Sequence, residues 1–532
     1  MLHATQQSTR RNDRVGRMPE NLVFAAFRDT RTASLATGNG KDSGKAAGLY
    51  TIDERPVNAR LTVCPGPRHC RLEPVWDPTE LLSRKRCYWQ CWQCEHCEDA
   101  NLAIAGRLDL TVATKPIRFA NTAGATLAVI RYFGNSHCLM ADQPFIPLCV
   151  PSLSGSESKY VQQGLDSTFV SSVGPFVDRF EQQFAQFVGS RCAVACSSGT
   201  AALHVAMRLL DIGPGDEVLV PTLTFIASAN PIAYERATPV FVDAEPRTWN
   251  LDCQAVVEEI QRRAAEGLKQ PKAVEVVHIL GHPAEMAELV DVCDRHGVAI
   301  IEDAAESLGA SYCGGPLAGK HVGTIGRIGC FSFNGNKIMT TGGGGMLVTD
   351  DELLARRAKH LTTQAKLPGV EYRHDEIGYN YRLTNLAAAM GVAQLEQMPT
   401  FLDRKRAIAE RYDRALGAMP GITIPPRAHW ADPSCWLYTI LIDAERFGTG
   451  ARDLIAEFEA AAIQTRPIWQ PLHCQPMFRD APRLGGDIAE QIAGEGLSLP
   501  CSVDLTPQDQ DRVLAVIGRC AERHATRTAS AA

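Results

Sequence analysis

The chain has 532 residues, more than one small core can use and enough for two or three domains. Apolar residues make up 45% and the formal net charge is −6, a balance that excludes a charge-driven binder of nucleic acid or membrane surfaces. No run of about 18 uncharged apolar residues occurs, so no membrane span is expected. Arg10-Arg11 lacks the apolar segment that an export signal needs, and a cytoplasmic location is expected.

Residues 1–139 read differently from the rest. They carry 19 Lys and Arg against 13 Asp and Glu, so the remainder holds the acidic balance. No helical or alternating pattern is sustained there beyond a short apolar stretch at 123–133. The segment is expected to be a disordered leader, or an extension created by a start assigned upstream of Met140, where globular patterning begins. Its sharpest motif is Cys87-Tyr88-Trp89-Gln90-Cys91-Trp92-Gln93-Cys94-Glu95-His96-Cys97. Closely spaced thiolates can share a tetrahedral zinc ion, with Cys64 and Cys70 as the second pair. Structural zinc sites normally join two separated knuckles, whereas these four cysteines crowd into one run, and no metal is expected. Cysteines beyond this region are scattered singly, as small buried hydrophobes are.

From residue 140 strands and helices alternate. A strand at 193–195 precedes a helix at 200–210, and Gly213-Pro214-Gly215-Asp216 turns the chain. A strand at 217–220, a helix at 225–234 and a strand at 239–242 follow. A helix over 251–265 ends near Gly267, a strand occupies 273–278, and a helix over 284–296 is closed by Gly297. The run 298–302 is again a strand. Near-continuous apolar strands alternating with helices predict an α/β fold, a mostly parallel sheet covered on both faces, over 140–390. Ligands gather at the carboxyl ends of such strands. Beyond 383 the pattern changes to helix over 385–416 with a break near Pro399, a strand at 435–442, and helices at 451–462 and 507–524. A smaller α+β domain over 391–532 is expected.

Three motifs carry chemistry. Ser198-Gly199-Thr200 lies just before a helix, where free backbone N–H groups favour a phosphate; an ordinary N-cap with a glycine turn gives the same pattern. Asp303 ends a buried strand, placed to hold a pyridinium N–H or to cap the next helix. Glu306 lies one helical turn on, where it can approach a ring oxygen. Phe225, after a strand end, offers an aromatic face for stacking, or packs in the core. Lys337 sits between Phe331, Phe333 and Ile338 and the glycines 342–345, where the backbone can pass close to a ligand. Burial beside a cationic ring lowers an amine's pKa toward the nucleophilic range. Ser332, five residues earlier, can bond a phosphate. Cradle, acid and lysine in this order point to pyridoxal phosphate.

The stretches 197–203 (SSGTAAL), 221–230 (PTLTFIASAN), 302–310 (EDAAESLGA), 331–345 (FSFNGNKIMTTGGGG) and 378–385 (GYNYRLTN) resemble those of the DegT/DnrJ/EryC1/StrS aminotransferases, and the resemblance spans roughly 144–520. It implies pyridoxal phosphate fold type I, with Lys337 as the Schiff-base lysine and Asp303 as the pyridinium partner. It also implies Phe225 on the ring, with Ser198, Gly199, Thr200 and Ser332 around the phosphate. Asn380 is implied to reach the phosphate of a partner subunit, hence a homodimer with shared active sites. Glu306 departs from relatives that carry Gln or His there. Some relatives replace the lysine with histidine and act as dehydratases, an outcome Lys337 argues against. Segments 145–161, 171–181 and 366–385 look most like the branch that moves the amine of glutamate to C4 of UDP-4-keto-6-deoxy-N-acetylhexosamines for surface glycans. Arg466, Trp469 and His473 resemble that branch's substrate loop, although ordinary packing at a domain edge is as good an account of them. Amination of GDP-4-keto-6-deoxymannose, as in perosamine synthesis, is the alternative, and a non-catalytic regulator of the same fold is a third.

Overall fold

Valine-rich strands gain little alone and become stable when neighbours bury both of their faces. The computed structural model describes residues 144–531, with side chains through His524, and the backbone of two short strands upstream. The chain divides into Met1–Gly134 and Asn135–Ala532. In the first unit β1 (Leu72–Val75) pairs antiparallel with β2 (Tyr88–Cys91). The rest of the 87–97 cysteine run, Cys64, Cys70, the 123–133 stretch and Met140 lie outside the described residues.

The second unit opens with α1 (Glu157–Asp166) and α2 (Pro175–Val188). Strands and helices then alternate through β3 (Cys192–Cys196), α3 (Gly199–Leu209), β4 (Glu217–Pro221), α4 (Asn230–Tyr234) and β5 (Thr238–Val242). The alternation continues with α5 (Cys253–Glu266), β6 (Ala273–Val277), α6 (Ala287–His296) and β7 (Ala299–Asp303). After the short β8 (Ser311–Tyr312) come β9 (Ile328–Ser332), β10 (Gly345–Thr349) and α7 (Glu352–Thr362).

The helices α8 (Asn385–Leu395) and α9 (Met398–Leu416) lead into the C-terminal part. There β11 (Ile422–Thr423), β12 (Ala431–Asp432), β13 (Tyr438–Ile442), α10 (Ala444–Phe447) and α11 (Ala451–Ala460) follow. The chain closes with β14 (Arg466–Pro467), β15 (Arg483–Leu484), α12 (Ile488–Glu495), β16 (Gly496–Leu499) and α13 (Pro507–Ala531).

Eight strands form one sheet in the order β15-β5-β4-β6-β7-β9-β10-β3. All neighbours are parallel except at β10, which runs antiparallel to both β9 and β3. Alternate residues feed opposite faces. Val218 and Val220 pack with α3 and α7 residues such as Leu203 and Ala358. Leu219 and Val274 pack instead with Val256 and Ile260 of α5 and Val292 of α6. A second sheet, β11-β13-β16-β14, is wholly antiparallel and packs against Leu454 and Phe458 of α11 and Ile517 of α13. The mostly parallel α/β architecture read from the sequence is present. β15 is an addition to it, a strand from the C-terminal part that returns to the edge of the large sheet beside β5.

Three boundaries move for identifiable reasons. The helix read over 225–234 is only Asn230–Tyr234, because residues 225–229 form a turn closed by Ser228 N–H on Phe225 O, and Pro231 fits only the first turn of a helix. The strand read from 435 begins at Tyr438, since Cys435 has a φ of 55° that no strand accommodates. The helix read from 284 begins at Ala287, because the Ala284 N–H is held by His278 Nδ1. Gly267 and Gly297 close their helices with φ of 66° and 67°, as expected.

Phe180 and Phe184 of α2 pack against Phe331 and Phe333 with ring centroids 5.1 to 5.4 Å apart. All four are fully buried. Each contributes roughly 2 to 3 kcal/mol by burial, which fixes the end of β9 and the loop that follows it.

Candidate active site

The site forms where β3, β4, β7 and β9 end. Ser198 is extended (φ −164°) and caps α3, its Oγ accepting from Ala201 N–H at 3.0 Å. The N–H groups of Gly199 and Thr200 therefore open the helix at its positive end. A Cβ on Gly199 would stand 2.8 Å from that of Ser332, so glycine is required where β9 meets the start of α3. Gly345 answers a similar need: a Cβ there would lie 2.4 Å from Ser198 O. Of the glycines after Lys337, Gly342 and Gly343 have open space where a Cβ would stand, whereas at Gly344 and Gly345 the close neighbours are Thr341, Leu383 and the Ser198 backbone.

β7 ends in two carboxylates on opposite faces. Glu302 points away from the cradle and accepts N–H bonds from Gly323, Ile325 and Gly326, with His278 Nε2 2.9 Å away. Asp303 is buried, with Ser228 Oγ donating to Oδ2 at 2.8 Å and Ala305 N–H to Oδ1 at 3.0 Å. Burial raises its pKa, against the lowering effect of those bonds and of the Lys337 charge. Glu306 is buried too, and Oε2 takes Leu280 N–H at 2.7 Å, at a residue whose φ is 55°.

Lys337 stands in the turn after β9, its N–H bonded to Asn334 O at 3.0 Å. Its ammonium lies 3.6 Å from the centroid of the Trp436 indole. Burial lowers the lysine pKa, opposed by the charges of Glu306, Asp303 and Cys149. Trp436 is buried and its Nε1 donates to Asn336 O at 2.7 Å, tying the lysine turn to the C-terminal part of the chain. Phe225 stands in the turn after β4 and is 53% exposed, so its ring is free to be covered by a ligand and is not a core residue.

The other expected residues are distributed unevenly. Trp469 stacks on Trp436 at 6.2 Å and 14°, one ring away from the Lys337 amine. His473 bonds Thr222 Oγ1 through Nδ1 at 2.6 Å and meets Glu490 through Nε2 at 3.1 Å, so it reaches the end of β4 just before Phe225. Arg466 is exposed on β14 in the smaller sheet, donating to Thr465 O. Asn380 is exposed, next to Tyr381 whose carbonyl accepts Ser197 N–H at 2.7 Å. Sequence reasoning missed Ser228 and Trp436. Ser228 had a signal, three residues after Phe225 in the same turn. Trp436 had none, because its contact with Asn336 spans 100 positions.

The residues present fit pyridoxal phosphate. A helix start without side-chain bulk lies beside a serine and suits a phosphate, an acid lies at the strand end, and a desolvated amine and an uncovered aromatic face follow strands of the same sheet. Fold and site together are those of a pyridoxal phosphate-dependent aminotransferase. The model of the DegT/DnrJ/EryC1/StrS aminotransferase family matches residues 151–518, and the chain belongs to that family. EpsN of Bacillus subtilis (strain 168), provisionally named a pyridoxal phosphate-dependent aminotransferase, is 43% identical over 376 residues, which are 70% of this chain and 95% of EpsN. The GDP-perosamine synthase of Caulobacter vibrioides is 40% identical over 71% of this chain and 99% of its own. The crystal structure of DesV from S. venezuelae superimposes with a TM-score of 0.64 at 32% identity, covering 71% of this chain and 99% of DesV. Among the described residues no helix is long and apolar enough to cross a membrane.

The Glu306 carboxyl gives a stability test. Burial pushes it up to about 7 from 4.5 in the chain without cofactor. Between those values the folded chain keeps a proton that the unfolded chain has lost. Stability is therefore highest below the lower value and falls by roughly 3 kcal/mol as pH rises through the window. Urea denaturation of the cofactor-free protein is expected to show this fall, and Glu306→Gln to remove it; a slope that persists in the variant contradicts the assignment.

Proposed function

We propose that this aminotransferase moves the amine of glutamate to the C4 ketone of a nucleotide-linked 4-keto-6-deoxy sugar, in the cytoplasm, for glycan assembly. The observation that carries the transamination reading is the convergence of Lys337, Asp303 and the Ser198–Thr200 helix start at the strand ends of one sheet. Residues 140–390 supply the cofactor site and 391–532 the smaller domain. Ser198, Gly199, Thr200 and Ser332 hold the phosphate, Phe225 covers the ring, and Asp303 faces the ring nitrogen. Bound pyridoxal phosphate supplies an electron-accepting ring that stabilises negative charge at the carbon losing a proton.

The chain's residues do the rest. Asp303, fixed by Ser228 and Ala305, presents a carboxylate oxygen that keeps the ring N–H in place. Lys337 takes a proton at Nζ and returns it to the neighbouring carbon, and its lowered pKa raises the fraction of free amine near neutral pH. Glu306, already bonded to Leu280 N–H, keeps one carboxyl oxygen for the ring hydroxyl side. Asn380 is exposed on this chain, which suits a residue that serves the phosphate site of a partner subunit in a homodimer. Trp469 and His473 flank the lysine and the β4 turn as sugar contacts, while Arg466 suits the nucleotide's charge from the neighbouring sheet.

Two nucleotides compete. Segments 145–161 and 366–385 favour a UDP-linked N-acetylhexosamine, and the 40% identity to a GDP-perosamine synthase across nearly its whole length favours GDP-4-keto-6-deoxymannose. The test is purified protein with glutamate and a panel of UDP- and GDP-linked 4-keto-6-deoxy sugars, with 2-oxoglutarate release as the readout. One sugar is expected to exceed the others by at least about tenfold in kcat/KM. A protein that releases no 2-oxoglutarate with any of them contradicts the proposal and favours a non-catalytic relative.

A further inference from the structure

Eleven cysteines among the described residues are free thiols, and two of them bracket the lysine turn. Leu148 O accepts Cys501 N–H at 2.8 Å, and Val150 N–H donates to Ser502 Oγ at 3.0 Å. Cys149 lies between these two anchors, so the backbone on either side of it is held to Cys501 and Ser502. Each thiol also reaches a carbonyl of the site. Cys149 Sγ donates to Asn336 O at 3.3 Å, the oxygen that also takes Trp436 Nε1. Cys501 Sγ donates to Trp436 O at 3.4 Å, an oxygen shared with the buried Lys405 ammonium. The pair thus holds both Asn336, next to the reactive lysine, and Trp436, on which that lysine rests.

We propose that Cys149 and Cys501 are a peroxide-oxidisable thiol pair whose disulfide form lowers transaminase activity by releasing the Asn336–Lys337 turn. The chemistry balances. The Cys501 sulfur attacks the peroxide O–O bond, giving a sulfenic acid and water. The Cys149 sulfur then attacks that sulfur, the S–S bond forms and a second water leaves with the remaining thiol proton. Two electrons pass from the sulfurs to the peroxide. The neighbouring Cys149 thiol and the Lys405 charge both lower the Cys501 pKa, so Cys501 gives up its proton as its sulfur attacks. The neighbouring Cys501 side chain and burial raise Cys149, which suits the resolving position. Oxidation removes both S–H donors, and the Asn336 and Trp436 carbonyls each lose a partner.

The activity arm rests on the aminotransferase reading, and the peptide map does not. Full-length protein is treated with equimolar hydrogen peroxide and digested without reduction, in parallel with Cys149→Ser, which keeps a donor to Asn336 O. The expected result is a linked peptide joining Cys149 to Cys501 in the wild type alone. An about fivefold fall in the glutamate half-reaction, restored by dithiothreitol and absent at the same dose in the variant, is expected with it. No linked peptide at a dose that oxidises the exposed Cys313 overturns the proposal, as does a linked peptide with unchanged activity. If the reduced protein does not turn over glutamate, the proposed function fails and the map alone decides the pair.

Discussion

Replacing Lys337 with alanine is expected to lower amine transfer by about ten-thousand-fold while the protein still folds and still retains cofactor through the phosphate cradle. The lysine amine is desolvated at the strand ends, and the charges of Glu306 and Asp303 act on it. Removing it deletes the proposed proton carrier, whereas Ser198, Gly199, Thr200 and Ser332 are untouched. Little stability is expected to be lost, because burial already disfavours the charged amine and the indole of Trp436 recovers only part of that cost. Lys337→Arg is the informative companion. It keeps a cation over Trp436 but cannot give up its proton near neutral pH, so it is expected to be as inactive as alanine. Single-turnover reaction with glutamate checks both, and retention of more than about a hundredth of wild-type rate in either would sink the role of Lys337 as proton carrier.

Asp303→Asn is the second large effect, with an expected loss of about 100- to 1,000-fold in kcat. The amide preserves shape: its oxygen can keep the Ala305 N–H bond, and its NH2 can donate to Ser228 Oγ once that hydroxyl turns toward Thr224, so the change largely isolates charge from packing. Stability of the cofactor-free protein is expected to move the other way. Because burial raises the Asp303 pKa, the ionised carboxylate is a cost to folding above the ordinary carboxylate range, and the neutral amide relieves it. Loss of activity with unchanged or higher denaturation midpoint at pH 8 is the expected pairing. A variant that is both unstable and inactive would assign Asp303 a structural role only.

The parts of this molecule legible in the sequence are those where local pattern and tertiary demand agree. β4 and β5 are near-continuous apolar runs because both of their faces are covered, and they were readable for that reason. The order of cradle, acid and lysine was readable because each lies at a strand or helix end marked by glycine or by a carboxylate after an apolar run. The turn at 225–229 was misread as helix because Phe225, Ile226 and Ala227 have ordinary helical spacing, and only the Pro231 position argues against it. β15 was missed because two residues, Arg483 and Leu484, carry no periodicity and pair only once β5 is in place. Trp436 lay beyond local reading altogether: its place under the lysine depends on a left-handed residue at Cys435 and on a contact across the whole fold.

A covalent label can identify the nitrogen that holds the cofactor. Borohydride reduction of the protein as purified with its cofactor fixes the pyridoxyl group to whichever nitrogen holds it, and peptide mapping then locates it. The label is expected on the peptide containing Asn334 to Met339, at Lys337. A label on any other lysine, Lys405 included, or none on a protein that binds the cofactor, contradicts it.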